Sequence, residues 1–330
     1  MTQSIKYDVI GLGNALLDVI VPVTEDFIDD CHLIKGGMTL VSSERADFLY
    51  QEAKRFLRRT QGHIEAIQQV SGGSAANTIA GIAALGGAAA YVGRVGKDIF
   101  GDNYLRDFQN LTVATPFIPK DGETGRCFVF VTPDAQRTME TFLGIAIKFS
   151  CEDLSFDSIA ASKILYLEGY LWDPPLAKEA FLEASRIAHR YKRRVALSLS
   201  DSFCVERHRE DFKTFIKEYV DILFANEGEI LSLTQSHSID HAIEYLKTLN
   251  ILAAVTCGEK GSLLVNQDVV MPISSYPTHV VDTTGAGDAY ASGVLFGLAQ
   301  EYPLEKCGML GSQCAAHVIS HFGGRPKPRF

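Results

Sequence analysis

The 330-residue chain is short of several things, and each shortage excludes a class of protein. Its seven cysteines, Cys31, Cys127, Cys151, Cys204, Cys257, Cys307 and Cys314, include no CxxC pair. That removes a disulfide framework and a zinc site, and it points to reduced thiols in a cytoplasmic setting. Basic residues are outnumbered, 31 Lys+Arg against 40 Asp+Glu, for a formal net charge of −9. A nucleic-acid partner would need a basic face, so none is expected. The most apolar stretch, "TIAGIAALGGAAAYVG", is short, Ala-rich and broken by glycines, so no membrane partner is expected either. The opening "MTQSIKYDVIGLGN" lacks the charged and apolar regions of a secretory signal. Linkers, repeats and low-complexity tracts are also missing. What remains, 46% hydrophobic and 22% charged, is the composition of an ordinary globular protein, long enough for one large domain.

Short apolar, β-branched runs alternate with amphipathic stretches through most of the length. "KILYLEGYL" precedes a helix predicted over roughly 175–191, and "RVALSLS" precedes one over roughly 206–219. "DILFAN" leads into a short acidic helix, then "SIDHAIEYLKTLN", then the run "ILAAVTCG". This alternation predicts βαβ units and an α/β fold with a mainly parallel, doubly wound sheet. Two segments depart from it. Residues 126–142 read as a hairpin turning at "PDAQ", and residues near 14–45 read as extended, with "KGG" as a turn. Paired together they would make a small accessory sheet. The chain therefore reads as a single domain over 1–330, with a lid drawn from about 14–45 and 118–142.

The stretch "DTTGAGDAYASG" (282–293) sets a glycine-rich turn at the head of a helix. A helix N-terminus offers unpaired N–H groups and partial positive charge, and glycines let a phosphate come close to them. An acid at that point, Asp288, would repel the phosphate unless it serves as base for a hydroxyl aimed at it. The plainer reading is a packing turn whose acid offsets the helix dipole. "SGGSAANT" (71–78) is a second such turn: Gly72 and Gly73 can bring amides to a polar ligand and Asn77 can donate and accept, or Ser74 can simply cap the helix. "GLGNALLD" (11–18) has Leu16 where a dinucleotide fingerprint needs glycine. Asn14 and Asp18 read better as polar groups at a strand end, and an aspartate can accept from two vicinal sugar hydroxyls. "NEGE" (226–229) is either a helix cap or a place for hydrated Mg²⁺. "VTCGEKG" (255–261) suits a nucleotide-holding turn or a bare strand end. His317 and His321 stand four apart without a third ligand and read as ordinary helix residues.

Taken in order, these motifs are more specific than any one of them. "SGGSAANTIAGIAALGG…GRVGKDIFG" resembles the N-terminal signature of the ribokinase-like (PfkB-type) carbohydrate kinase family, and "DTTGAGDAYASGV" its C-terminal signature. "NEGE" and "VTCGEKG" resemble the family's N-x-x-E and T-x-G-x-x-G patterns, in the right order. The resemblance covers essentially the whole chain. It implies a three-layer α/β/α domain with a β lid, ATP and Mg²⁺, and phosphoryl transfer to a primary hydroxyl. It makes Asp288 the base and Gly285, Ala286 and Gly287 the anion hole, with Arg137 as the lid arginine. Asn226 and Glu229 would organise Mg²⁺ through water, and Asn226, Thr256, Gly258 and Gly261 would line the ATP site. Potassium activation near Asp282 and Thr284 is common in the family.

Within that family the chain is similar to adenosine kinases. The resemblance implies phosphorylation of the adenosine 5′-hydroxyl to give AMP, with Asn14, Asp18, Gly72, Gly73 and Asn77 around the ribose. It sets Met38 and Leu40 near the base and makes Leu16, Phe128, Phe130, Leu171 and Phe203 candidates to sandwich it. A sugar kinase, a kinase for another nucleoside, and a non-catalytic nucleoside-binding protein are the alternatives. The fold is compatible with a monomer or a homodimer.

Overall fold

Each near-continuous apolar run forms a strand covered on both faces. The computed structural model describes residues 3–134, 136–267 and 269–326. In chain order its strands are β1 (Tyr7–Leu12), β2 (Leu16–Pro22), β3 (Met38–Leu40), β4 (Gln68–Gly72), β5 (Ala89–Val92), β6 (Gly125–Val131) and β7 (Arg137–Phe142). They continue as β8 (Ser162–Glu168), β9 (Arg194–Ser198), β10 (Ile222–Asn226), β11 (Leu252–Thr256), β12 (Ser262–Asn266) and β13 (Val269–Ile273). Eight of them form one sheet in the order β13-β12-β11-β10-β9-β8-β1-β5. The strands from β5 to β11 in that order run parallel, and β12 is reversed, pairing antiparallel with both β11 and β13.

Alternate residues feed two separate cores. Ile10, Leu12, Leu165, Leu167, Val195 and Leu197 pack beneath the helices Pro175–Arg190 and Ser202–Tyr219. Val9, Ile164, Tyr166 and Ala196 pack on the other face, against Ser74–Ala84, Ile99–Asn110 and Ala286–Ala299. The result is the three-layer α/β/α arrangement with a mainly parallel sheet. One boundary differs: the helix expected from about residue 206 begins at Ser202, because Asp201 accepts a hydrogen bond from the Cys204 amide at 2.7 Å and caps it there.

The other five strands form a second sheet in the order β3-β7-β6-β2-β4. β6 and β7 make the hairpin read from 126–142, in antiparallel register with Val131 opposite Arg137. The sheet also uses β4, whose last two residues open the "SGGSAANT" stretch that points only to a turn entering a helix, and part of the segment expected to be extended is helical. Residues Glu25–Asp30 form a short helix with an acidic first turn, burying Phe27 and Ile28. Ser43–Gln61 forms a longer one, capped by Ser42 and closed by Gly62 in the left-handed region. Ala46, Leu49, Ala53, Phe56 and Leu57 of that helix close over Val19, Val21, Phe128 and Phe130. The sheet thus has an outer face with its own core and an inner face carrying Leu16, Asp18 and Ile20, which are only half-buried.

Candidate active site

The strand order reverses at β1: β5 lies on one side and β8 through β11 on the other. Open α/β sheets bind ligands in the crevice beyond the strand ends at such a point. There Asn14, just past β1, donates to Glu168 Oε1 at the end of β8, from its amide at 3.2 Å and from Nδ2 at 3.1 Å. The Ala75 amide donates to Glu168 Oε2 at 2.8 Å. Glu168 is fully buried, and desolvation pushes its carboxyl up to about 7 against those hydrogen bonds. The sequence reading passed over Glu168. Its only signal is an acid closing the apolar run "KILYLE".

Beside it, β4 ends at Gly72, and Gly73 follows as the N-cap of the next helix. Gly73 caps the helix Ser74–Ala84 with φ 102°, and a Cβ on it would stand 2.2 Å from the Asn14 carbonyl oxygen. A Cβ on Gly72 would stand 2.3 Å from Asp18 Oδ1. The helix therefore starts without a side-chain cap, and Ser74 is free for another task. Its hydroxyl donates to Asp288 Oδ1 at 2.6 Å, while Asn77 Nδ2 donates to Oδ2 at 3.0 Å. Burial pushes Asp288 up to about 6, opposed by these two hydrogen bonds and by attraction to Arg325. Asp18 is pushed up to about 7 by burial, opposed by Arg325 and Arg137 and reinforced by Asp288. The glycine turn, the serine turn and "GLGNALLD" thus converge at one place.

Asp288 lies in the first turn of the helix Ala286–Ala299, whose N-cap is Gly285 in the left-handed conformation, φ 73°. No side chain caps this end; the Ala286 amide is engaged with the Thr283 carbonyl at 3.2 Å, and the Gly287 amide is among the donors that a helix start leaves for a ligand. Nothing lies within 4 Å of where a Gly287 Cβ would be, which leaves room for an anion. Arg137, first residue of β7, reaches across from the second sheet. Its Nη2 is 2.5 Å from Asp282 Oδ2 and its Nη1 donates to Thr284 Oγ1 at 3.2 Å.

On the other side of this turn, Asn226 and Glu229 form a reciprocal capping box. Asn226 Oδ1 accepts from the Glu229 amide at 2.8 Å, and the Asn226 amide and Nδ2 donate to Glu229 at 2.9 and 2.7 Å. Burial pushes Glu229 up to about 7. Among the described residues no three His, Cys, Asp or Glu side chains cluster as metal ligands. Gly258 and Gly261 follow Thr256 with φ 59° and 90°, turning the chain back into β12. Near this turn, Tyr276, Thr278, Leu310, Cys314 and His317 are among the residues lining a cavity of about 360 Å³. Sequence reasoning missed that cavity, because its two walls lie far apart in the chain.

The expected base sandwich is only partly present. Phe128 and Phe130 pair in register with Val19 and Val21, so they point into the outer core, away from Asp18. Cys127 and Val129, with Met139 opposite Val129, share the inner face instead. Leu171 is fully buried in the main core, beside Trp172. These three candidates are therefore packing residues. Leu16 is half-buried on the inner face, with Met38 and Leu40 in register along the same face through Met139 and Thr141. Met38, Leu40 and Phe203 are exposed, at 59%, 61% and 73%, and remain free to meet a ligand. His317 and His321 stack edge to face at 5.4 Å, as helix-end neighbours.

Residues 45–329 match the pfkB family carbohydrate kinase pattern. The adenosine kinase of Saccharomyces cerevisiae is 26% identical over 330 residues, spanning 94% of this chain and 94% of its own. The solved adenosine kinase from Sinorhizobium meliloti is 43% identical, with a TM-score of 0.85 over 97% of this chain and 96% of that one. A probable sugar kinase from Rhizobium etli is 41% identical, with a TM-score of 0.86 over 99% and 96%. With a match this extensive and a fold that agrees from end to end, the chain belongs to the pfkB family of carbohydrate kinases.

Proposed function

We propose that this kinase transfers the γ-phosphoryl group of ATP to the 5′-hydroxyl of adenosine, giving AMP and ADP. The observation that carries the proposal is the Asp288 carboxylate, held by Ser74 and Asn77 at an uncapped helix N-terminus and pushed up to about 6. A base at that value is ionised at neutral pH yet basic enough to take a hydroxyl proton. The ribose diol would sit against Asp18, with Asn14, Gly72, Gly73 and Asn77 around the sugar. Asp288 accepts the 5′-hydroxyl proton, and the oxygen attacks the γ-phosphorus. The bond from that phosphorus to the β–γ bridging oxygen breaks, and ADP leaves. The amides of the Gly285–Gly287 turn, of which Ala286 would have to release the Thr283 carbonyl, and the Arg137 guanidinium would take the charge on the transferring group. ATP would lie along the turn at Gly258 and Gly261, its base toward the cavity beside Tyr276 and His317. Mg²⁺ would supply charge neutralisation on the phosphates. Asn226 and Glu229, already engaged with each other, would meet it only through water. The exposed Met38, Leu40 and Phe203 would cover the nucleoside base. The free cysteines suit a cytoplasmic setting.

The likeness to a probable sugar kinase keeps a second reading in play, a free sugar as acceptor. A coupled assay of ADP release with adenosine, inosine, guanosine, ribose and fructose separates the two. Preference for adenosine supports the proposal; preference for a free sugar over every nucleoside overturns it.

A further inference from the structure

The segment after the last helix turns back into the acceptor pocket. The Gly323 amide donates to Asp282 Oδ2 at 2.9 Å. Gly324 packs on the glycine turn so closely that a Cβ on Gly285 would stand 2.6 Å from its Cα. His321 Nε2, buried at the helix end, lies 3.0 Å from the Arg325 carbonyl oxygen, to which it donates. Held in this way, the Arg325 side chain runs inward. Its Nη2 donates to Ser71 Oγ at 2.6 Å, and its guanidinium lies 5.2 Å from the centre of the Phe108 ring. Ser71 is itself fixed to Asp107 through its amide, at 2.8 Å, and its hydroxyl. Arg325 Nε and Nη1 are shielded from solvent and make no hydrogen bond. Next to them, Asp18 accepts no hydrogen bond from any described side chain or amide, although it presses against Gly72. A guanidinium with two of its three nitrogens unspent thus stands behind an unspent carboxylate.

We infer that Arg325 is a positioning residue of the acceptor site, a fixed cation held behind β4 through Ser71, next to the Gly72 on which Asp18 packs, whose charge draws Asp18 toward the carboxylate form that a vicinal diol can bind. The inference rests on the reading of Asp18 as the diol-binding group. Five groups face Asp18: Arg325 and Arg137 attract it, Asp288 repels it, the Tyr104 hydroxyl lies within its field, and the Cys127 thiol lies across the strand pair. Arg325 in turn faces Asp107, Tyr104 and Tyr91. Of the two cations, Arg325 is the stronger influence on Asp18. Without it, burial and Asp288 would push Asp18 further toward the protonated form, and a protonated carboxyl accepts fewer hydroxyl bonds.

The test pairs a titration with kinetics, using the full chain carrying Arg325→Met, with Arg325→Lys and Arg325→Gln as companions in case the first folds poorly. Carboxyl ¹³C NMR of the ligand-free protein follows Asp18, assigned by its loss in Asp18→Asn. The Asp18 midpoint should rise by about one pH unit in Arg325→Met and return toward the parent in Arg325→Lys. With adenosine at pH 7, KM should rise about fivefold and the acid limb of kcat/KM should move to higher pH. Because Arg325 also attracts Asp288, kcat is compared at pH 8, where it should change little, and with 2′,3′-dideoxyadenosine the substitution should have little effect on KM. An unmoved Asp18 midpoint in a folded variant overturns the inference, and so do equal rises in KM for the two nucleosides. If no nucleoside is turned over, the adenosine proposal fails, and the Asp18 titration still decides the role of Arg325.

Discussion

Arg137 sets its guanidinium 2.5 Å from the Asp282 carboxylate, with only 10% and 7% of the two side chains exposed. The pair joins the second sheet to the root of the glycine turn. The same carboxylate accepts the Thr284 amide at 3.0 Å and the Gly323 amide at 2.9 Å. One acid therefore fastens a hairpin, a phosphate-sized turn and the C-terminal segment. Arg137 keeps Nε free of any partner, so a ligand phosphate could engage it without first breaking every bond it has.

Arg137→Ala should therefore lower kcat by about a hundredfold, the scale of losing one preorganised charge at a transferring group. The nucleoside KM should move much less. Arg137→Lys should recover little, since a point charge does not reproduce the forked contact to Asp282 and Thr284. Steady-state kinetics on purified variants check this. A kcat unchanged in Arg137→Ala removes the residue from the mechanism.

The environment of Asp288 sets the pH profile. With the base at about 6, kcat should rise as pH passes that value and level off above it. Ser74 and Asn77 both favour the ionised form. Ser74→Ala removes one of them, so the limb should move to higher pH, with a large loss near pH 6 and a far smaller one near pH 8. Asp288→Asn should cost several orders of magnitude at every pH while nucleoside binding, read by calorimetry, largely survives. An active Asp288→Asn enzyme would falsify the mechanism.

Much of this site was legible because its chemistry sits in short motifs. "DTTGAGD" and "SGGSAAN" carry their glycines at the positions where the backbone needs them, and the strand–helix alternation announces the parallel sheet. What stayed hidden depends on contacts between distant segments. Glu168 looks like any acid at a strand end until Asn14 and Ala75 close on it. Arg325 lies near the end of the chain, with no local pattern to mark it. The base wall failed for a different reason: a strand alternates faces with period two, so choosing Phe128 and Phe130 over Cys127 and Val129 is an error of one residue. Large aromatics in "RCFVFV" invite that choice, but they build the outer core with Phe27, Phe56 and Tyr50.

That parity can be tested directly. Phe128→Ala should destabilise the protein by about 3–5 kcal/mol, as for other buried phenylalanines, with little change in the KM for nucleoside in the folded fraction. Met139→Ala, on the half-buried inner face opposite Val129, should do the reverse, raising the KM with a smaller loss of stability. Melting curves and kinetics on the two variants separate the faces. Phe128→Ala raising KM more than Met139→Ala would put the wall back where the aromatics first suggested.

The glycines of β4 give a steric prediction. Gly73→Ala must either abandon φ 102° or push the Asn14 carbonyl away from 2.2 Å. Neither is compatible with Asn14 holding Glu168, so stability should drop by about 1–3 kcal/mol and acceptor binding should weaken. Gly287→Ala meets nothing within 4 Å in the ligand-free protein, so it should fold normally and lose affinity for ATP alone. Thermal melts with and without ATP distinguish the two. Gly287→Ala binding ATP as tightly as the parent would argue against an anion hole at this turn.

The buried carboxylates carry a cost that pH should expose. Asp18 rises from its ordinary 3.8 to about 7 on folding, because burial outweighs its two guanidinium neighbours. A carboxyl raised in this way binds more protons in the folded state than in the unfolded one. Its favourable contribution is full below the unfolded value and is lost as pH climbs through the folded value. Glu168 and Glu229, also at about 7, and Asp288 at about 6 act in the same direction. Asp18→Asn removes one such group without changing its size. The melting temperature of the ligand-free variant should therefore exceed the parent's, by a gap that widens between pH 5 and 7 and stays constant above. At pH 8 that gap should amount to a few degrees. The same variant should have lost its diol affinity, so stability gained in the empty protein is bought at the expense of the acceptor site. Differential scanning calorimetry across pH 5–8 measures both curves. A gap that shrinks as pH rises would mean Asp18 is ionised in the folded protein well below pH 7, and that burial does not control it.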